Sequence, residues 1–402
     1  MKMYDSLSRT VKPLPDGRPI TFYACGVTVY DYCHIGHARS YVVWDVLKRW
    51  KIRESKFVHV QNFTDVDDKI IERARVERVS PAEIAERYIA AYHEDMDWLN
   101  IRRADDYPRV TPLMDAMRVA ARWFVEKGYA YERDGDIRFQ CGKHPGYGKM
   151  SGRPVEPDQE FVLWKGPKAE EPEFPKGRPG WHLECSIMIE RCFDFSTIDI
   201  HAGGNDLLFP HYENEIAQSE CLHDGAPLAN HWLHNGMVHV DDKKMGKSEG
   251  NAFQIRWYRQ SGVDPNLIRY WILGVNYRKP LSKSGLDDGT VALQWATLQE
   301  RLRNAPAKGV TEGFAAALND DLNTASALAE LLRSPTLEMA EILGFRIQAA
   351  VIPEEVMEMA QRRELLRQNG YWTPADEARK TIDKMGYEVR DNPGGGFTVV
   401  KK

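Results

Sequence analysis

The chain has no apolar run approaching the ~20 residues that a membrane helix needs, which excludes a helical membrane span. Its opening, MKMYDSLSRT, carries no apolar signal core, so export is not expected and a cytoplasmic location is. Cysteine is scarce: Cys25, Cys33, Cys141, Cys185, Cys192 and Cys221 are six residues in 402. So few, thinly spread, exclude a disulfide framework and read as cytosolic thiols or metal ligands. A basic excess is missing as well. The net charge of -5 argues against a general nucleic-acid coat, although a local basic face can still bind through its own field. There is no internal repeat and no low-complexity tract, so nothing points to a solenoid or a fibre. What remains is globular material, 43% hydrophobic and 28% charged, long enough for two or three domains.

The first informative stretch, CGVTVYDYCHIGHARSYVVWDVL, runs from Cys25 to Leu47. It leaves a β-like run over 21–29 and enters a helical one over 38–47. Histidines at such a junction sit where a helix N-terminus can hold an anion. KFVHVQNFTDVDDKI then supplies a strand over 57–63, with Asp65, Asp67 and Asp68 crowding its carboxyl end. Strand, helix and strand in this order predict a βαβ unit of a parallel sheet, whose ligands bind beyond the carboxyl ends of the strands.

Downstream, Ser80-Pro81-Ala82-Glu83 is a capping box with proline at the first helical position. A further helix is expected over 112–127, stopped by Gly128, and then a hairpin over 129–139 turning at Asp134-Gly135. The segment 146–180 is rich in proline, glycine and charge and reads as a loop-heavy insertion. A strand over 197–201, a helix over 212–221 and a strand over 237–240 follow, the last leading into a lysine loop. From about residue 293 the pattern is mainly helical. The C-terminal piece has a helix beginning at Thr373-Pro374 and ending at Gly386, then a strand-like segment with a turn at Asn392-Pro393-Gly394-Gly395-Gly396.

Three groups of residues could carry chemistry. His211 and Glu215 are four apart on an expected helix and share a face, so both can close on one metal. Cys25 and Cys185, expected at the starts of glycine- or serine-containing loops, could add two thiolates. Two sulfurs, an imidazole and a carboxylate suit zinc. Residue types alone leave another reading open: buried core cysteines and a surface His-Glu pair. His34-Ile35-Gly36-His37 sits in a strand-to-helix turn, where Gly36 leaves room for a flat base; two ordinary turn histidines would look the same. Lys244-Met245-Gly246-Lys247-Ser248 is a cationic loop after a strand, suited to offset polyphosphate charge, or simply a solvated loop. All three groups are expected at loops beyond strands of one sheet.

In combination these stretches resemble the cysteinyl-tRNA synthetases, a family of class I aminoacyl-tRNA synthetases. CGVTVYDYCHIGHA, NFTDVDDKI, GWHLECS, DIHAGGNDLLFPHYENEIAQ and KMGKS are similar to the family signatures and stand in the family's order. NDDLNTASAL and the ending ADEARKTIDKMGYEVRD extend the likeness over nearly the whole chain.

The resemblance implies an α/β fold: a class I Rossmann-type parallel-sheet catalytic domain over 1–250, interrupted by an insertion at about 105–195. A connecting stem-contact region over 251–291, a shortened helical tRNA-binding domain over 292–370 and a small C-terminal α+β anticodon-recognition unit over 371–402 would follow. It implies ATP-dependent ligation of L-cysteine to tRNA(Cys) through a cysteinyl-adenylate, with ATP accompanied by Mg2+. One zinc ion would be held by Cys25, Cys185, His211 and Glu215 and would select the substrate thiol. His34 and His37 would stabilise the phosphoryl transition state, Lys244 and Lys247 would draw on the pyrophosphate, and Gly36 and Lys247 would contact the nucleotide. Thr28, Trp181, His201 and Asp206 match residues around the amino acid. No membrane partner is implied, and a monomer is expected.

The chain departs from the family pattern at several points. KMGKS stands where KMSKS is usual, His211-Tyr212 replaces a histidine pair, and Ala202-Gly203-Gly204 replaces three glycines. The unit from Tyr371 onward carries six Lys/Arg against five Asp/Glu, so its grip on RNA would rest on shape and on stacking by Phe397 or Trp372. Two rival readings share many of these features. One is a tRNA-independent cysteine ligase of the mycothiol-pathway type, opposed by the presence of Glu215 and the C-terminal unit. The other is a non-catalytic zinc- or RNA-binding paralogue, opposed by the intact HIGH sequence and both lysines.

Overall fold

The computed structural model of the chain describes every residue but 157, 195–196, 242, 247–249, 304, 348–351, 392–395 and 402, with backbone alone at 398, 400 and 401. An N-terminal hairpin, β1 (Lys2–Asp5) and β2 (Thr10–Pro13), leads into β3 (Ile20–Thr28). The sequence ITFYACGVT is apolar on both faces, the pattern of a strand covered on both sides. β3 lies inside a parallel four-stranded sheet of order β10-β9-β3-β4, formed with β4 (Phe57–Thr64), β9 (Ile198–Gly204) and β10 (Ala229–Asn235). α1 (Ile35–Lys51) connects β3 to β4 and buries most of its length, Tyr41 to Lys51 included. This is the βαβ unit that the spacing predicts.

α2 (Asp68–Glu77) starts at the carboxyl end of β4, capped by the Asp67 side chain. The neighbouring acidic residues are occupied too. Asp65 accepts from the amides of Val110 and Thr111, and Asp68 pairs with Lys165 and Arg178. α3 (Pro81–Trp98) opens with the expected capping box, Ser80 bonding the Glu83 amide and Glu83 bonding back. α4 (Met114–Glu126) ends before Gly128, which has φ +76°. β5 (Ala130–Arg133) and β6 (Asp136–Gln140) form the hairpin around Asp134 and Gly135, both at positive φ.

The segment 146–180 is less loop-like than its composition suggests. It contains β7 (Glu160–Lys165) and β8 (Arg178–Pro179), which complete an antiparallel sheet of order β5-β6-β7-β8. The strand EFVLWK is short and lies between proline- and glycine-rich flanks, so its apolar signal was diluted; pairing with β6 makes it a strand. α5 (Trp181–Cys192) and α6 (Glu213–Leu222) then pack side by side near the parallel sheet.

The strand before the lysine loop also differs from expectation. β11 (Val238–Val240) pairs with β12 (Lys243–Lys244) and β13 (Leu281–Ser282) in a separate three-stranded sheet. Its pairing is settled by β13, more than forty residues downstream, which local sequence does not announce. The loop still returns to the first sheet: the Ile35 amide donates to Phe253 O at 2.9 Å and the Ile255 amide to Cys33 O at 2.9 Å.

α7 (Ile255–Gln260), α8 (Pro265–Leu273) and further helices make up the rest of the larger core. A buried charge cluster joins α8 to α1. The Asp45 carboxylate accepts from Arg49 at 2.8 Å and from Arg269 at 2.7 Å, and Arg269 also donates to the backbone of Leu99 and Leu343. Burial raises the cost of the Asp45 charge, yet the two guanidiniums hold its pKa below the usual carboxylate value. At the C-terminus β14 (Tyr387–Asp391) and β15 (Phe397–Lys401) pair antiparallel over a small core of their own. That core includes Val356 and Ala360 from the helix Glu354–Gln368, so the unit draws on residues upstream of 371. The turn expected at Asn392–Gly396 lies, for its first four residues, outside the described residues.

Arg269→Ala would leave Asp45 as a buried charge with only one of its two guanidinium partners. A loss of about 3–5 kcal/mol of stability is expected. The shift in the urea unfolding midpoint at constant slope measures it.

Candidate metal centre and adjoining cleft

The parallel sheet has one irregularity at its centre, and it carries a functional side chain. Ala24 pairs with Gln61 and Val27 with Phe63, so Cys25 and Gly26 together face Asn62. Such a bulge re-aims the side chain at the extra position. Residue 26 must be glycine, because a Cβ there would lie 1.6 Å from the Asn62 carbonyl oxygen. The Asn62 side chain accepts from the Gly26 amide at 2.8 Å and lies 3.9 Å from Cys185 Sγ. Cys25 is therefore inside a strand and Cys185 inside α5, not at loop starts as expected.

The bulge turns Cys25 toward three residues from distant elements. Its Sγ is 3.8 Å from Cys185 Sγ, 3.7 Å from His211 Nε2 and 3.8 Å from Glu215 Oε1. The four ligand atoms all lie within 4.8 Å of one another, and all four residues are buried. His211 lies in the kinked segment Leu208–Tyr212, where Phe209 is extended, ahead of α6, and Glu215 in the first turn of α6. Their Nε2–Oε1 separation is 2.7 Å, a hydrogen-bonded pair.

The donor set fits zinc. With Zn–S bonds of about 2.3 Å, two sulfurs on a tetrahedron stand about 3.8 Å apart. Cys25 and Cys185 are already at that separation. The charge points the same way. Burial pushes the Cys25 thiol well up, while the hydrogen bond from Cys25 brings Cys185 down to about 6. Burial opposes charge on both His211 and Glu215, yet each favours the charge of the other. His211 rises to about 10 beside Glu215 and Cys185, and Glu215 falls to about 2 beside His201 and His211. Groups that favour one another's charge in this way suit a place where a cation is favoured.

Outer partners hold these donors in orientation. His201 Nε2 is 2.6 Å from Glu215 Oε2, on the side of the carboxylate away from His211. His182 Nδ1 meets His211 Nδ1 at 2.9 Å, leaving His211 Nε2 for the cluster. The Trp181 ring stacks on His211 with centroids 4.3 Å apart.

A cleft of about 710 Å³ opens beside Cys25. Trp181 lines it beside the cluster, Thr28 and Asp206 also line it, and His34, Gly36 and His37 line it at the start of α1; Lys244 and Gly246 border it from the lysine loop. His34 caps α1, accepting from the Gly36 amide at 3.1 Å, while His37 Nδ1 accepts from the His34 amide at 3.1 Å. Their rings stack at 3.9 Å. A Cβ on Gly36 would sit 2.8 Å from the His34 ring, so this glycine makes room for the histidine as well as for a ligand. Lys244 Nζ is 3.8 Å from the Asp206 carboxylate, with both side chains reachable by solvent.

Not every expected site residue reaches this cleft. His201 is fully buried behind Glu215 and stacked on Trp232 at 4.4 Å. Lys247 lies outside the described residues. Conversely, Lys69 lines the cleft, and Asn62 and His182 support the donors, without having been singled out. Asn62 and Lys69 fall in QNFTDVDDKI, so the motif was visible but its division of labour was not. Tyr212, fully buried, has its ring 4.8 Å from the His201 ring.

Known proteins resemble this chain in sequence and in fold. A family model described as the tRNA synthetases class I (C) catalytic domain matches residues 11–287. The cysteine--tRNA ligase of Cyanothece sp. is 37% identical, with 100% of this chain and 99% of that protein covered. The cysteine--tRNA ligase of Thermosynechococcus vestitus is 38% identical, with 98% and 97% covered. The Cyanothece alignment spans 497 positions against 402 residues here, so that relative carries segments with no counterpart in this chain. Among solved structures, Mycobacterium tuberculosis methionyl-tRNA synthetase bound by methionyl-adenylate superposes with a TM-score of 0.55 at 14% identity, covering 90% of this chain and 88% of the other. The LeuRS of Agrobacterium radiobacter K84, in a ternary complex with tRNA, gives 0.57 at 11% identity, with 83% of each covered. These two likenesses concern the fold alone.

Gly36→Ala would push the His34 ring out of its capping position. A loss of about 1 kcal/mol in stability is expected from the broken cap, measured by thermal unfolding.

Proposed function

The chain belongs to the cysteine--tRNA ligases, a family of class I aminoacyl-tRNA synthetases that join cysteine to tRNA(Cys), and on that premise we propose that Cys25, Cys185, His211 and Glu215 hold one zinc ion that reads the substrate thiol. The observation that carries the proposal is the convergence of four buried donors within 4.8 Å beside a cleft lined by His34 and His37. Zinc, when bound, supplies thiol-selective Lewis acidity: it favours a soft, acidic thiol over the hard hydroxyl of serine. A site built on such a contact can discriminate by ~10⁴–10⁵-fold without a second, editing site.

The chain's own residues do the remaining work. Thr28, Trp181 and Asp206 border the space next to the cluster, where the Asp206 carboxylate can hold the ammonium group of the amino acid. His201, bonded to Glu215, supports a donor from behind. In the first step the cysteine carboxylate attacks the α-phosphorus of ATP, giving cysteinyl-adenylate and pyrophosphate. His34 and His37, stacked at the N-terminus of α1, lie where developing phosphoryl charge gains from helix-terminal amides and imidazole donors. Gly36 leaves the backbone open to the nucleotide. Lys244, and Lys247 beyond it, offset the charge of the leaving pyrophosphate, and Mg2+ accompanies the ATP. The terminal ribose hydroxyl of tRNA(Cys) then attacks the adenylate carbonyl and takes the cysteinyl group, releasing AMP. Most of the rate comes from position and charge.

This reading divides the chain into a catalytic domain over 1–250 with its insertion at about 105–195, a stem-contact region over 251–291, a helical tRNA-binding region, and a C-terminal unit whose core begins with the helix Glu354–Gln368. Trp372, exposed with Arg367 near its ring, offers that unit a stacking surface for a base. We take the working form to be a cytoplasmic monomer; among the described residues no helix is long and apolar enough to cross a membrane.

Charging of tRNA(Cys) with cysteine in the presence of ATP tests the whole reading, and cysteine-dependent pyrophosphate exchange tests the first step. Cys185→Ser is expected to lose zinc, seen by elemental analysis, together with cysteine activation. Near-normal exchange by a zinc-free variant would contradict the metal's role. Lys247→Ala is expected to slow exchange at saturating cysteine while leaving the KM for cysteine near its original value.

A further inference from the structure

The insertion does something the reaction described so far does not use. Its loop 144–153 runs along the element that carries two of the four donors and touches it at four points. The Arg153 guanidinium lies over the Phe209 ring at 4.4 Å. The amides of Met150 and Ser151 donate to Glu213 Oε2 at 3.1 and 2.9 Å. The Tyr147 hydroxyl donates to the Asn214 side-chain oxygen. Nearly two turns further along α6, His144 Nε2 is 3.0 Å from Glu220, which Lys149 also reaches. Phe209 precedes His211 by two residues, and Glu213 and Asn214 lie between His211 and Glu215 in sequence.

Glu213 is the centre of this contact. It is fully buried, and no Lys or Arg among the described residues pairs with it. A buried carboxylate without a cation needs its hydrogen bonds, so the two loop amides become obligatory partners and not incidental ones. The loop is itself shaped for the task. Gly148 has φ +93°, and a Cβ there would lie 2.2 Å from the Arg153 carbonyl oxygen. Tyr147 and Met150 are buried against the second core.

We propose that loop 144–153 is a clamp that sets His211 and Glu215, with Glu213 as the positioning residue, and thereby tunes metal affinity and thiol preference. The proposal rests on the zinc reading given above. It makes the insertion a working part of the amino-acid site, although no loop residue is a donor.

The test compares the full chain with Glu213→Gln and Tyr147→Phe. Zinc affinity is measured by chelator competition, the donor set by the visible spectrum of the cobalt-substituted protein, and cysteine KM and kcat by pyrophosphate exchange. Glu213→Gln is expected to weaken zinc binding by about 10–100-fold, the usual effect of losing an outer partner of a metal site. It should also shift the cobalt bands and raise cysteine KM more than it lowers kcat. Tyr147→Phe should do the same more mildly. Should Glu213→Gln fail to fold, Tyr147→Phe decides alone, since it removes one hydroxyl. Variants that unfold at lower temperature without zinc, yet keep wild-type affinity and cobalt spectrum, would overturn the clamp and leave the zinc reading intact. A wild-type chain that binds no zinc would overturn both.

Discussion

Four donors, three of them able to carry negative charge, are buried together around Cys25. Desolvated anions repel one another and lose their water, so such a group is tolerable only with protons or a cation among them. Much else in the structure follows from keeping that group assembled. The bulge opposite Asn62 turns Cys25 inward, and Gly26 permits it. α5 delivers Cys185, the turn before α6 delivers His211, and His201 and His182 fix the orientation of the Glu215 carboxylate and the His211 ring.

The nucleotide side of the cleft obeys a different physics. His34 and His37 cap a helix and stack on each other, so their positions come from local backbone geometry. Lys244 stands in a small separate sheet, tied to the turn before α1 by backbone hydrogen bonds at Ile35 and Ile255. The two halves are thus held by independent means. The metal side is set by side-chain packing across 190 residues of sequence, and the nucleotide side by caps and strand ends. On the proposed reading, such an arrangement would keep amino-acid selection and phosphoryl chemistry adjacent while letting each be tuned alone.

Local signals explain which parts were legible. The βαβ start, the capping box at Ser80 and the hairpin at Asp134-Gly135 depend on residues a few positions apart, and each forms as its pattern predicts. β7 was hidden because proline and glycine flank it and its partner strand lies twenty residues earlier. The lysine loop was assigned to the wrong sheet because β13 follows more than forty residues later. His201 matches family residues around the amino acid, and folding puts it behind Glu215, outside the lining of the cleft.

Sequence alone carried Cys25, Cys185, His211 and Glu215 and the HIGH and KMGKS segments in their order, because motif residues are chemical facts carried in the chain itself, while the meeting of the four side chains was decided by folding. Only the tertiary structure decided that Cys25 enters through a bulge, that His201 supports and does not line the cleft, and that the insertion grips α6. Those depend on which segments meet after folding. Contact between residues scores apart in the chain is set by the packing of whole elements, which no local pattern encodes.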